Sequence, residues 1–257
     1  MCSVLEDSAN KNWPAVRTIE HLLDLEIEKR KLARIEACFR ASRLSEKVTI
    51  ENFDFAFTAS RKTNKTRILN LLDLVFIKEK KDIIFIGPTG VGKTFLEKCI
   101  AYSATQAGIK TLFTTTMEMI NQLLAADPKM LVKKLAYYNS FDLLVCDEIG
   151  YLPLGKAGAS LFFQVISQKH LKGSTIISTN LTFSERGNIF DDTIIATAIA
   201  DRLVEHSEII LLEGPSYRQR DKKCFRQSKN RQEYRDKNRQ VHGVGAGMRS
   251  GGCLNPH

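Results

Sequence analysis

The sequence predicts an α/β fold: a three-layer arrangement around a central parallel five-stranded sheet, preceded by a small N-terminal helical region. Three observations predict it. The apolar run Ile83-Ile84-Phe85-Ile86 leads directly into Gly87-Pro88-Thr89-Gly90-Val91-Gly92-Lys93-Thr94, which fits G-x-x-x-x-G-K-[ST] at every fixed position. A second apolar run, Leu143-Leu144-Val145-Cys146, ends in the acidic pair Asp147-Glu148. Between and after these runs, strand-like and helix-like patterns alternate, as parallel strands joined by crossover helices require.

Residues 1–12 are polar and are expected to fray. From Arg17 to Arg40 the apolar residues Ile19, Leu22, Leu23, Ile27, Leu32, Ile35 and Phe39 recur at three- and four-residue steps, with charges between them. That pattern predicts one long helix or two short ones, either packed on the core or serving as a docking module. In 48–60, Phe53, Phe55 and Phe57 stand two apart. They form a short strand or an extended segment, and burial over the core is favoured above a stacking surface for a base. Thr66 to Phe76 reads as an amphipathic helix leading to the first strand. Gly108 closes the helix behind the glycine loop. Lys110–Thr115 reads as the second strand, Glu118–Ala126 and 129–138 as helices, and Asp142–Asp147 as the third strand. A helix over 156–171 and a fourth strand over Ser174–Thr179, ending at Asn180, follow. A helix over 193–205 and a fifth strand over Glu208–Leu212 complete the pattern. The Gly-rich stretch Gly243–His257 has no periodicity and is expected to be disordered.

The glycine loop has a definite chemistry. Glycines let the backbone curl so that successive N–H groups point at phosphate oxygens. The helix that starts near Lys93 adds its positive dipole end. Gly87, Pro88, Thr89, Gly90, Val91, Gly92, Lys93, Thr94 and the adjoining Phe95 are therefore the expected nucleoside-triphosphate-binding residues. Lys93 is expected to reach the β- and γ-phosphates, and the Thr94 hydroxyl to hold Mg²⁺. Asp147, at the carboxyl end of its strand, is expected to share that Mg²⁺ with Thr94. Glu148 is expected to polarise the attacking water as general base. An acid in that place favours hydrolysis over transfer to a small-molecule acceptor. Asn180 stands where a strand-end polar group can orient the water or touch the γ-phosphate. Arg202 and Arg218 read locally as surface ion pairs or as guanidinium groups that cancel phosphoryl charge.

Composition narrows the class further. Of 257 residues, 43% are hydrophobic and 26% charged, ordinary for a soluble globular protein. No apolar run approaches the length of a membrane span, and no apolar leader precedes the first helix. Six cysteines show no metal-site spacing and read as reduced thiols of a cytoplasmic protein, with Cys99 and Cys146 as core fillers. Arg218 to Arg239 holds ten Lys/Arg against three acids, a net +7 out of the chain's +9. This basic tail is expected to meet a polyanion such as nucleic acid, or else to remain a solvated tail.

The runs VCDEIGYLPL (145–154), LFFQVISQKHLKGSTIISTNLTFSE (161–185) and GPSYRQRDKK (214–223) closely resemble the IstB-like ATPases. These are transposition helpers of a bacterial insertion-sequence system within the AAA+ (ASCE) branch of P-loop ATPases, related to the DnaC and DnaI helicase loaders. The resemblance spans about residues 17–223. It implies an ATPase that self-assembles on double-stranded DNA and assists a DDE transposase, with a replicative helicase as the alternative partner. A nucleotide-gated scaffold with little turnover is the other alternative. By position it makes Asn180 sensor I, Arg202 the arginine finger toward a neighbouring subunit, and Arg218 sensor II. The expected division of the chain is an N-terminal helical docking region (1–47), an ATPase core (48–217) and a basic tail (218–257). Two residues depart from the family pattern: Phe95 replaces a usual His, and Arg186 stands where a Trp is expected.

Overall fold

The computed structural model describes residues 10–149, 155–180 and 205–220. The chain divides into two units, Met1–Gly214 and Pro215–His257. The first unit contains helix α1 (Ala15–Ala41), a 3-10 turn (Ile50–Asn52), and short helices α2 (Ala59–Thr63), α3 (Lys65–Leu71) and α4 (Val75–Lys78). Then come β1 (Asp82–Ile86), α5 (Lys93–Gln106), β2 (Thr111–Thr115), α6 (Thr116–Leu124), α7 (Pro128–Asn139) and β3 (Leu143–Ile149). Finally come α8 (Gly155–Lys169), β4 (Ser174–Thr179) and β5 (Ser207–Leu211). The described part of the second unit holds the 3-10 turn Tyr217–Gln219, where Arg220 Nη1 donates to the Tyr217 hydroxyl. The helix expected over 193–205 lies outside the described residues up to Glu205. So do Arg186, Arg202, residues 221–239 of the basic run, and the Gly-rich end.

The five strands form one parallel sheet in the order β2-β3-β4-β1-β5. The continuous apolar runs arise because both faces of the sheet are covered. Strand geometry sends alternate residues to opposite faces. Ile84, Ile86, Leu144, Cys146 and Ile177 pack with Met119 and Ile120 of α6, Tyr138 of α7, and Phe162 and Val165 of α8. Ile83, Phe85, Leu143, Val145, Ile176 and Ile210 pack on the other face with Leu96, Ile100 and Ala104 of α5 and Ile68 of α3. Two cores on two faces give the three-layer α/β arrangement. Cys99 and Cys146 are buried within it, as expected.

The N-terminal pattern forms one helix rather than two. It spans 27 residues, and none of them is buried. Its C-terminal part docks on the core: Arg34 Nε donates to the Gly108 carbonyl over 3.0 Å, Phe39 meets Tyr102 edge-on, and Phe113 N–H donates to Ser42 O over 2.8 Å. Val16, Ile19, Leu23 and Ile27, nearer its start, are exposed. The helix expected over Thr66–Phe76 is broken in two. Leu74 takes the left-handed conformation at φ 58°, which separates α3 from α4.

The lower end of the sheet holds a buried lysine. Lys169, in the last turn of α8, is 1% exposed and donates to the Phe141 carbonyl. Burial pulls its ammonium down to about 8, although Asp142 and Asp82 partly oppose the shift. Unfolded, a lysine titrates near 10.5, so between these values the unfolded chain binds more protons and stability rises with pH. The expected gain from pH 8 to 10.5 is about 3 kcal/mol at 1.36 kcal/mol per pH unit. Urea denaturation under reducing conditions should show this rise in the native chain and lack it in Lys169→Met.

Candidate functional site

The carboxyl ends of β1, β4 and β3 lie side by side and build the site. β4 pairs with both β1 and β3, so the chain leaving β4 at Asn180 emerges between the glycine loop and Asp147-Glu148. Such strand ends form the ligand crevice of open parallel sheets.

The glycine loop starts between two strands. Gly87 N–H donates to Thr179 O over 3.1 Å, and Leu212 N–H donates to Ile86 O over 2.8 Å. A Cβ on Gly87 would collide with the Leu212 carbonyl, so only glycine fits there. Gly90 and Gly92 have φ of 86° and 102°, a region that side chains disfavour. Gly92 caps α5, whose first residues are Lys93 and Thr94, and the helix dipole therefore opens onto the loop. Lys93 Nζ lies across the loop, donating to Gly87 O over 2.6 Å and Pro88 O over 3.0 Å.

The segment in front of the sheet supports the loop from below. Arg61 is 2% exposed, and its Nε and Nη2 donate to Val91 O over 3.2 and 2.8 Å. Its Nη1 donates to Asp54 O, and its guanidinium lies 4.3 Å from the Phe53 ring centroid and 5.1 Å from that of Phe57. Phe53 is buried and stacks on Phe95 with centroids 5.8 Å apart. The alternating phenylalanines are thus not a strand or an extended segment: after the 3-10 turn the chain turns again at Phe55–Ala56, with Phe53 in the core, Phe55 packed against it and Phe57 half-buried against Arg61. Phe95 is part of that packing beside the loop.

Across the crevice, Thr94 Oγ1 donates to Asp147 Oδ1 over 3.1 Å. Ser178 Oγ donates to the same oxygen over 2.6 Å and accepts from the Glu148 N–H over 2.9 Å. Thr116 Oγ1 donates to Asp147 O. One serine on β4 therefore orients both acids of β3. The β3–β4 register shifts between Cys146 and Ile149, and Glu148 stands in that bulge at φ 60° with its side chain exposed. A bulge re-aims a side chain, and a non-glycine residue in the left-handed region is held there by its surroundings. Asp147, by contrast, is 4% exposed.

Beneath this pair lies Glu97, one turn along α5 from Thr94. It is 0% exposed, and neither carboxyl oxygen makes a close hydrogen bond. Burial first, then the charge of Asp147, pushes its carboxyl well above the usual range.

The residues fit a magnesium nucleotide. Thr94 and Asp147 supply the hard oxygen donors that Mg²⁺ prefers, and the curled loop with its helix terminus suits phosphate. Of the residues expected from sequence, Gly87–Thr94, Asp147, Glu148 and Asn180 come together here, and Asn180 is exposed. Arg218 belongs to the second unit, on the Tyr217–Gln219 turn, and is exposed there. Arg202 lies outside the described residues. Sequence reading missed Arg61, Glu97 and Ser178. Each is a polar residue inside an otherwise unremarkable pattern. The one available signal was Glu97, an acid set between Leu96 and Ile100 on an apolar helix.

Comparison with known proteins gives three kinds of likeness. The family model described as IstB-like ATP binding protein matches residues 3–224. The insertion sequence IS5376 ATP-binding protein of Geobacillus stearothermophilus is 40% identical over 79% of this chain and 80% of its own length. The insertion sequence IS232 ATP-binding protein of Bacillus thuringiensis subsp. berliner is 34% identical over 85% of this chain and 87% of its own length. Among solved structures, AMPPCP-bound DnaA from Aquifex aeolicus superposes with a TM-score of 0.56 at 18% identity, covering 74% of this chain and 57% of DnaA. That last likeness shows the fold, the AAA+ P-loop arrangement.

Proposed function

Because the chain belongs to the family of IstB-like ATP binding proteins, we propose that it is a Mg²⁺-dependent ATPase that oligomerises on double-stranded DNA and assists the transposase of its insertion sequence. The observation that carries the hydrolytic part is the Ser178 bridge. It holds Asp147 toward Thr94 and turns the neighbouring Glu148 out to solvent, so the two acids take different tasks.

In this reading the loop N–H groups and the start of α5 hold the phosphates, and Lys93 moves from its own loop carbonyls to the β- and γ-phosphates. Thr94 and Asp147 hold magnesium, which supplies positive charge against the phosphate oxygens. Glu148 accepts the proton of the attacking water, and Asn180 orients that water. Arg202, from a neighbouring subunit, and Arg218, in cis, offset the charge that develops on the phosphoryl group; both roles rest on the family resemblance. Residues 1–47 dock the partner, 48–217 form the ATPase core, and the basic tail 218–257 holds DNA phosphates in the cytoplasm. The exposed apolar residues of α1 support a docking role. Among the described residues no helix is long and apolar enough to cross a membrane.

The test is sedimentation and imaging of the full chain with duplex DNA and a non-hydrolysable ATP analogue. The expected result is an oligomer that needs both ligands and that captures the element's transposase. Monomers under those conditions would overturn assembly. Capture of replicative helicase in place of transposase would move the assignment to helicase loading.

A further inference from the structure

The ATPase reading leaves Glu97, a fully buried carboxyl, without a task. Thr94 and Glu97 are three residues apart on α5 and share one helix face. That face meets the carboxyl ends of β3 and β4, where Thr94 bonds Asp147, and Asp147, Ser178 and Lys93 act on the Glu97 carboxyl. Both of its oxygens are sealed from solvent and make no close hydrogen bond, with Asp147 and Ser178 the hydrogen-bonding groups that act on them. A buried carboxyl left in this way costs stability unless something compensates it. Lys93, whose charge acts on Glu97, is engaged with the Gly87 and Pro88 carbonyls.

We propose that Glu97 is a second carboxylate of the cation site, and that with it the site takes a divalent cation before nucleotide arrives. The inference rests on the reading of Thr94 and Asp147 as the magnesium-holding residues. Its chemistry is that of hard oxygen donors: two carboxylates, with the Thr94 hydroxyl beside them. With Asp147 as its one carboxylate, the site leaves most of the Mg²⁺ shell to substrate phosphates and water. A buried carboxyl added beneath Asp147 gives the cation a partner that does not depend on ATP.

The experiment is Mn²⁺ titration of the nucleotide-free full-length chain, followed by electron paramagnetic resonance at neutral pH. The wild type is expected to bind one Mn²⁺ per chain that Mg²⁺ displaces. Glu97→Gln, nearly the same shape, is expected to weaken that binding at least about tenfold. Circular dichroism melting accompanies each variant, and Glu97→Asp, which keeps the charge, is expected to retain part of the affinity. Absence of Mn²⁺ binding by the wild type without nucleotide overturns the inference, as does unchanged binding by Glu97→Gln. Binding of a fluorescent ATP analogue with Mg²⁺ separates the two levels. If the wild type binds it but takes no Mn²⁺ alone, only the role of Glu97 falls. If it binds neither, the nucleotide-site reading falls as well.

Discussion

Glu148→Gln should bind ATP as the wild type does and hydrolyse it at least about a hundredfold more slowly, within the range for loss of a general base. The reason lies in how Glu148 is held. Its N–H is fixed by Ser178 Oγ, and its backbone sits in the left-handed region inside the β3 bulge. Glutamine preserves the backbone bond, the side-chain length and the exposure, so the loop and the Thr94–Asp147 contact stay in place. The amide removes only the basic oxygen. Phosphate release is the measurement for hydrolysis, and a fluorescent nucleotide that for binding. A variant that turns over ATP at the normal rate would remove Glu148 from the chemistry. In the assembly model the same variant also stays in the DNA-bound oligomer, because the step that resets it is lost.

Lys93→Ala should lose nucleotide affinity by roughly ten- to a hundredfold, the worth of about 1.5–3 kcal/mol for hydrogen bonds to a charged partner. Stability without nucleotide should change little. The carbonyls that Lys93 now holds, Gly87 O and Pro88 O, are on a solvent-accessible loop and can bond water once released. ATP stabilises only the state that binds it, so the native chain should melt higher with ATP and the variant should show a much smaller rise. An equal ATP-induced shift in both would show that phosphate is held without the lysine.

Lys93 was readable in the sequence. The motif fixes its distance from the glycines, and a helix start behind a strand leaves it little freedom. The same holds for Asp147, whose apolar strand and terminal acid are contiguous in the chain. Strand positions were legible too, because buried parallel strands are short apolar runs. Ser174–Thr179 carries its expected bounds, and the other strands differ by a residue or two. The ends of helices were less legible, since they depend on local caps. The break at Leu74 had no Gly or Pro to announce it.

What the sequence by itself determined is therefore local: a glycine loop between strand and helix, an acid pair at a strand end, and the alternation that makes a parallel sheet. What only the tertiary structure decided is which distant residues meet. Ser178 reaches Asp147 and Glu148 across 31 and 30 positions because β4 pairs with β3. Arg61 reaches Val91 across 30 positions because its segment folds under the loop. Glu97 is buried because its helix face lies on the sheet and not in solvent. The N-terminal helix has the apolar spacing of a packed helix, yet it buries none of its residues. In each case the side chain is ordinary for its local pattern. Its environment is set by strand register and layer packing, and no window of the sequence contains those.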